Sequence, residues 1–324
     1  MKLLGLSCGR KMENTEVLVK EALMGAEEKG AEVGFMRLLE LDIKPCTGCT
    51  SCARSLIEGG SGKCVIKDDL HLVDEQLMEC DGVILGSPVF VLTPHGLLKV
   101  ICDRFGPSHD LAWRIEAKKI RIAKGKSPDK GPDERAFKKR VAGFISVGGA
   151  ATPHWLSMGL PLMHLFTFSS HITVVDQMQE LAVTRYGNVV MNEKAIQRAR
   201  SLGRHVAEAM SKPIDEVKWM GDEQSTCPSC HSNLLIIRDK NPVECPICGI
   251  TGTLRMDGDR IIVTFSEEEQ KRSRLKLKWG QEHWVDIRDG LAVAMQRPDK
   301  DEIPKRLEKY ESYHIPVLSP SKQL

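Results

Sequence analysis

The sequence predicts a doubly wound α/β domain with a parallel sheet, followed by a small metal-binding module. Three observations carry that expectation. Short, continuous apolar runs alternate with helical segments over roughly the first 210 residues. Glycine- and proline-marked loops follow those runs. Eight of the eleven cysteines fall into two tight groups, one inside the α/β region and one beyond it.

The elements follow in order. Residues 2–7 (KLLGLS) form the first apolar strand, and the polar loop CGRKMEN comes next. From Thr15 the chain reads as a helix with Leu18, Ala22 and Ala26 on one face, and Asn14 is the expected N-cap. Residues 32–38 are the second strand and 45–64 a cysteine-rich loop. Asp68 and Asp69 open a helix that runs to about Cys80, and residues 82–87 (GVILGS) are the third strand. Residues 97–104 read as helix, 141–147 as the fourth strand, ending in Gly148-Gly149, and 171–176 as the fifth. Ala195, Ala199, Leu202, Val206 and Met210 line a closing helix. Strands that are apolar throughout mark a parallel sheet covered on both faces. Five of them fit the flavodoxin-like order, with a ligand at the carboxyl ends of the strands.

Two stretches interrupt this pattern. Residues 114–140 are strongly basic and read as a solvated loop, or else as a lid or subunit arm that attracts an anionic substrate. Residues 212–226 read as a linker. The expected division is therefore 1–211 for the flavodoxin-like domain, 212–226 for the linker, and 227–324 for a zinc-ribbon-like β module with a helical tail.

Bulk properties narrow the partners. The 324 residues are 41% hydrophobic, enough for a packed core, and carry a net charge of only +2. No global field favours nucleic acid or an anionic membrane, and 5% aromatic content gives little for base stacking. No apolar run has the length of a membrane span. The opening MKLLGLSCGR resembles a lipoprotein signal ending at Cys8, but its apolar stretch is too short, so a cytoplasmic protein is expected.

The segment from Ser7 to Thr15 joins a strand end to a helix start. It offers hydroxyls, an amide, an arginine and the amides of a helix N-terminus, which together suit a phosphate. It has neither the G-x-G-x-x-G of a dinucleotide site nor a Walker A pattern. Arg10-x-x-x-Asn14-Thr15, then Gly86-Ser87-Pro88-Val89-Phe90, then Gly96-Leu97-Leu98-Lys99 and Asp103-Arg104 resemble the NAD(P)H-dependent FMN reductase family over about residues 1–210. The resemblance implies that Ser7, Cys8, Arg10, Asn14 and Thr15 hold the FMN phosphate. It implies that Ser87, Pro88, Val89 and Phe90 hold the ring, flanked by Gly148 and Gly149. Cys8 stands where the family usually has serine, Gly9 where it often has proline, and Phe90 where tyrosine is common. Phe90 could stack on a flavin but not hydrogen-bond to it.

Cys46, Cys49 and Cys52 follow a C-x2-C-x2-C spacing, and Cys64 follows after eleven intervening residues. Such spacing can bind a [4Fe–4S] cube, and the segment resembles the iron–sulfur flavoproteins, a branch of the same family. The last gap is longer than that branch usually shows, which a flexible loop tolerates. Free thiols or a zinc site are the alternative. Cys80 and Cys102 read as core residues. Cys227-x2-Cys230 and Cys245-x2-Cys248 form two knuckles that suit one tetrahedral ion. They look like a zinc ribbon, with zinc favoured, while Cys245-Pro-Ile-Cys-Gly249 also resembles half of an iron-holding rubredoxin site. His231 reads as a bystander. The basic run 271–278, near Trp279 and Trp284, reads as a solvated helix behind the acidic start Ser266-Glu267-Glu268-Glu269.

The functional expectation is an FMN-dependent iron–sulfur flavoprotein oxidoreductase. It would move electrons between NAD(P)H or ferredoxin and an acceptor that the sequence does not reveal. One alternative is a cluster-free NAD(P)H-dependent reductase of flavin, quinone or another small organic substrate, and another is a non-enzymatic partner-binding flavoprotein. His154 and His95 are the candidate proton donors. The family likeness implies a homodimer or homotetramer.

Overall fold

A computed structural model describes residues 1–184, 188–221 and 226–315. It divides into two compact units, Met1–Gln281 and Glu282–Leu324. In the first, β1 (Lys2–Ser7), α1 (Asn14–Glu27), β2 (Glu32–Arg37), α2 (Ser51–Ile57) and α3 (Leu70–Glu79) lead to β3 (Gly82–Phe90) and the short β4 (Thr93–Pro94). Then come α4 (Gly96–His109), α5 (Leu111–Ala123), β5 (Val141–Val147), α6 (Gly159–Phe168), β6 (Thr173–Glu180) and α7 (Glu193–Met210). The sheet order is β2-β1-β3-β5-β6, with β4 paired on β3. All five main strands are parallel, and only β4 runs antiparallel. This is the flavodoxin-like order that the alternation predicted.

One apolar layer lies on each face of the sheet. Leu18, Val19 and Ala22 of α1 pack with Leu202 and Val206 of α7 over one face. Leu77, Ile101, Phe105 and Phe166 cover the other. The fit of α1 against α7 depends on two glycines. A Cβ on Gly203 would lie 1.7 Å from the Ala22 carbonyl oxygen, and one on Gly25 would lie 2.1 Å from that of Arg200. No side chain fits there, so the helices touch backbone to backbone.

Several boundaries differ from expectation for identifiable reasons. Glu13, not Asn14, is the N-cap of α1. The Asn14 amide oxygen instead accepts from the Val189 N–H at 3.0 Å. The last strand starts at Thr173 because His171 takes a left-handed φ of 51°. It runs on through Asp176 to Glu180, where polar residues hid it. Asp176 is fully buried yet ion-paired to Arg198 and bonded to His205 at 2.7 Å. The basic stretch 114–140 is only in part a solvated loop, with residues 122–130 exposed. Its first part belongs to α5, whose periodicity turns Arg114, Ala117 and Arg121 inward. Arg114 donates to the Ser108 carbonyl at 2.6 Å, and Arg140 donates to the carbonyls of Cys80 and Met78. These guanidiniums are structural, because backbone acceptors satisfy them.

Residues 212–221 run along β6, where the Met220 N–H donates to the Val175 carbonyl at 2.8 Å. Residues 222–225 of the expected linker lie outside the described residues. Beyond them, β7 (Val243–Glu244), β8 (Thr251–Asp257) and β9 (Arg260–Thr264) form a small antiparallel sheet beside the four cysteines. The Ser266 hydroxyl accepts from the Glu269 N–H and caps α8 (Glu267–Lys271), as its acidic start predicts. α9 (Leu277–Gln296) crosses the boundary between units, and α10 (Glu302–Glu311) lies in the second. No helix among the described residues is long and apolar enough to cross a membrane.

Candidate functional site

The carboxyl ends of β1, β3 and β5 open onto a cavity of about 290 Å³. It gathers Cys8, Arg10, Asn14, Thr15, Pro88, Val89, Phe90, Gly148 and Gly149 from three loops that are far apart in the chain. Ser7 and Ser87 lie fully buried behind them. The Ser7 hydroxyl accepts from the Gly9 N–H at 3.0 Å and shapes the turn between β1 and α1. A Cβ at Gly9 would sit 2.7 Å from the Thr15 Cβ, so the loop closes tightly over the start of the helix. The side chain of Glu13 does not cap α1. The first-turn amides of a helix have no partners within the helix. Here they meet the cavity beside Arg10, an arrangement that fits a phosphate dianion.

Ser87 is the joint of the second loop. Its hydroxyl accepts from the His95 N–H at 3.0 Å and lies 3.1 Å from the Pro88 carbonyl, to which it donates. Between these points the chain turns back through Val91 and Leu92, whose φ values of 50° and 71° are left-handed. A β-branched residue rarely adopts that conformation, and such strain concentrates where a loop is shaped for a ligand. The turn leaves Phe90, Val91 and Leu92 exposed, and Phe90 lines the cavity. Phe90 and His95 meet edge to face at 5.6 Å.

His95 also caps α4, because its Nδ1 accepts from the Leu97 N–H at 3.1 Å. That bond requires an unprotonated Nδ1, so the proton sits on Nε2. Burial lowers the His95 pKa and favours this neutral form. The cavity therefore holds one oriented neutral imidazole. Cys8 contributes no thiolate, since burial pushes its thiol up to about 12. Of the two candidate histidines, His95 lines this cavity and His154 does not. His154 lines a second cavity described below. Leu39, Val147, Val183 and Thr184 also line the first cavity. They carry no motif and reach it only through the fold.

Cys46 and Cys49 are exposed, while Cys52 and Cys64 are half-buried. Left-handed turns at Gly48 and Thr50 lead into α2, where Cys52 sits. Burial, and then the charges of Cys64 and Cys46, raise the Cys52 pKa, so these three sulfurs share one local field. Arg104, in a buried ion pair with Asp68 at 2.6 Å, donates from Nε to the Cys64 sulfur at 3.2 Å. The four sulfurs do not form a group within 4.8 Å of one another, as ligands of one ion would. A cube spaces its thiolates more widely, because each binds a different iron.

The second group has that closer geometry. Among the described residues, Cys227, Cys230, Cys245 and Cys248 alone form a group whose ligand atoms all lie within 4.8 Å, and all four are buried. The sulfurs of Cys227 and Cys248 are 3.4 Å apart, as are those of Cys230 and Cys245. A tetrahedral ion with bonds of about 2.3 Å needs edges of about 3.8 Å. The two knuckles share one backbone pattern. In each, the first cysteine N–H donates to the carbonyl five residues on, and its own carbonyl accepts from the N–H four residues on. The residue after each knuckle takes a left-handed turn, His231 at φ 57° and Gly249 at φ 76°. His231 is more than a bystander. It stacks on Trp219 at 3.7 Å, and its carbonyl accepts from the Gln177 amide at 3.0 Å, which joins the knuckle to β6.

The profile of the NADPH-dependent FMN reductases matches residues 1–181, more than half of the chain. The chain belongs to this family. It is therefore a flavin-dependent oxidoreductase. The relatives divide into two kinds. A flavone synthase of Aspergillus candidus is 31% identical over 302 residues, covering 90% of both chains. An iron–sulfur flavoprotein of Methanocaldococcus jannaschii is 28% identical over 220 residues, which is 65% of this chain and 97% of that one. Among solved structures, a flavone reductase superposes with a TM-score of 0.82 at 27% identity, over 99% of this chain and 100% of that one.

Proposed function

We propose that this protein is an FMN-dependent oxidoreductase of a flat, conjugated, neutral organic substrate of the flavonoid kind. NAD(P)H is the electron donor in this reading. The supporting observation is full-length similarity. The flavone synthase and the flavone reductase match this chain through its C-terminal part, whereas the iron–sulfur flavoprotein match covers 65% of it. FMN held in the first cavity would supply hydride chemistry between the donor and a carbon–carbon double bond of the substrate, with the accompanying proton coming from water. The chain's own parts are separable. The start of α1 and Arg10 hold the phosphate. The Ser87–Phe90 loop and Gly148-Gly149 border the ring. His95 presents Nε2–H for a hydrogen bond. The exposed ring of Phe90 at the cavity suits a planar aromatic.

A second reading is supported by the shared field of Cys46, Cys52 and Cys64 and by the Arg104 bond to Cys64. In it the loop holds a [4Fe–4S] cluster and a one-electron carrier such as ferredoxin is the donor. In both readings zinc fills the Cys227–Cys248 site, and the protein works in the cytoplasm as a homo-oligomer.

Anaerobic purification followed by FMN, iron, sulfide and zinc analysis, with NAD(P)H oxidation assayed against flavone and a simple quinone, tests both. Flavone-dependent NAD(P)H oxidation by a protein with FMN and zinc but no iron supports the first reading and removes the second. Quinone reduction without any flavone turnover overturns the first.

A further inference from the structure

We propose that the first cysteine knuckle forms one wall of a second ligand site, which takes a neutral, hydroxylated aromatic ring. The function proposed above identifies that ring as the far end of the substrate. The site is a cavity of about 290 Å³ between the knuckle and the flavodoxin-like domain. Leu160 and Pro161 of α6, Gln177 and Gln179 of β6, and Ser232 and Leu234 after the knuckle line it.

Its chemistry limits what fits. No carboxylate, lysine or arginine lines it, so a charged ligand would find no counter-charge. Leucine and proline walls interleaved with hydroxyl, amide and imidazole groups suit an aromatic ring that bears hydroxyls. The polar groups are mostly committed. The Gln177 amide nitrogen donates to the His231 carbonyl, and its oxygen lies 3.3 Å from His164 Nε2. The Gln179 amide donates to the Leu156 carbonyl at 3.0 Å. His164 is the exception. It is 2% exposed, lines the cavity, and its buried Nδ1 has no hydrogen-bond partner. Buried polar atoms are rarely left so, and a ligand hydroxyl would complete this one.

The cavity neighbours the flavin cavity. A Cβ on Gly159 would meet Ser146 Oγ at 2.5 Å, Val89 Cγ2 at 2.9 Å and Gln179 Nε2 at 3.4 Å. Val89 lines the first cavity and Gln179 the second, so the two cavities adjoin at Gly159. The same loop serves both, with Gly148-Gly149 at the first and Pro153, His154 and Ser157 at the second.

The test uses full-length, FMN-loaded protein and two probes, apigenin (a trihydroxylated flavone) and the compact quinone menadione. Leu234→Trp and Ser157→Trp fill the cavity from opposite walls. Each is expected to weaken apigenin binding by roughly tenfold or more while FMN content, metal content and menadione turnover stay at wild-type levels. His164→Phe is expected to reduce the preference for apigenin over unsubstituted flavone. Apigenin affinity unchanged in both tryptophan variants overturns the site, and if apigenin is still turned over the proposed function stands. Apigenin that binds, is displaced by Leu234→Trp, and is never turned over supports the site and overturns the proposed function. A wild type that binds no apigenin overturns both.

Discussion

Removing the Ser87 hydroxyl isolates the joint of the flavin loop. In Ser87→Ala the His95 N–H loses its acceptor at 3.0 Å and the Pro88 carbonyl loses a donor at 3.1 Å. Ser87 is fully buried, so water does not reach its place readily. An unsatisfied buried donor costs about 1–3 kcal/mol. The turn from Val91 to Leu92 already holds left-handed φ angles. It relaxes once the bond that closes it is gone, so the cost falls on the loop that borders the ring. At about 1.4 kcal/mol per tenfold change, FMN affinity should fall by about fivefold to 150-fold. The assay is titration of FMN with apoprotein, read by flavin fluorescence, alongside urea unfolding of both forms. Ser87→Thr keeps the hydroxyl and should recover most of the affinity. An FMN affinity within about twofold of wild type in Ser87→Ala would refute the reasoning, because the loop would then be held by something other than this joint.

Three further outcomes are expected. Gly203→Ala forces α1 and α7 apart, because its Cβ would lie 1.7 Å from the Ala22 oxygen. Overpacking of this kind costs about 1–3 kcal/mol or more, and urea unfolding should show it. Cys245→Ser should abolish stoichiometric metal at the four-cysteine site, measured by elemental analysis, while FMN content persists. For pH, burial holds His164 at about 4, against an ordinary value near 6.5. The unfolded chain therefore takes up a proton first as pH falls. The stability from a neutral His164 is fully present above about pH 6.5 and is lost progressively down to about pH 4, for a total of about 3 kcal/mol. Unfolding midpoints measured across that window should fall, and His164→Leu should flatten the dependence.

The readable parts of the sequence were those whose chemistry is local. The Gly86-Ser87-Pro88 turn, the start of α1 and the paired cysteine knuckles each depend on residues a few positions apart, so spacing alone announces them. The fifth main strand was half hidden, because Asp176 is buried only by virtue of Arg198 and His205 on α7. Arg114 and Arg140 read as solvent-facing because their acceptors are carbonyls elsewhere, such as Cys80 and Met78 for Arg140. Leu39 and Thr184 reach the flavin cavity from loops that carry no motif. The second cavity could not be read at all, since Leu160 and Leu234 meet only when the knuckle packs on α6 and β6. One signal was available and passed over. His231 stands after the first knuckle where Gly249 stands after the second, and both positions require a left-handed backbone.

The central claim is that FMN in the cavity at the carboxyl ends of β1, β3 and β5 exchanges electrons with a flavonoid. The most direct measurement is an anaerobic single turnover in which the FMN-loaded protein, reduced by one equivalent of NAD(P)H, is mixed with flavone. The account predicts that oxidised-flavin absorbance returns at a rate that rises with flavone concentration, matched one for one by loss of the flavone's conjugated chromophore. A reduced protein that stays reduced with flavone, yet is reoxidised at once by a quinone or a one-electron acceptor, would contradict it.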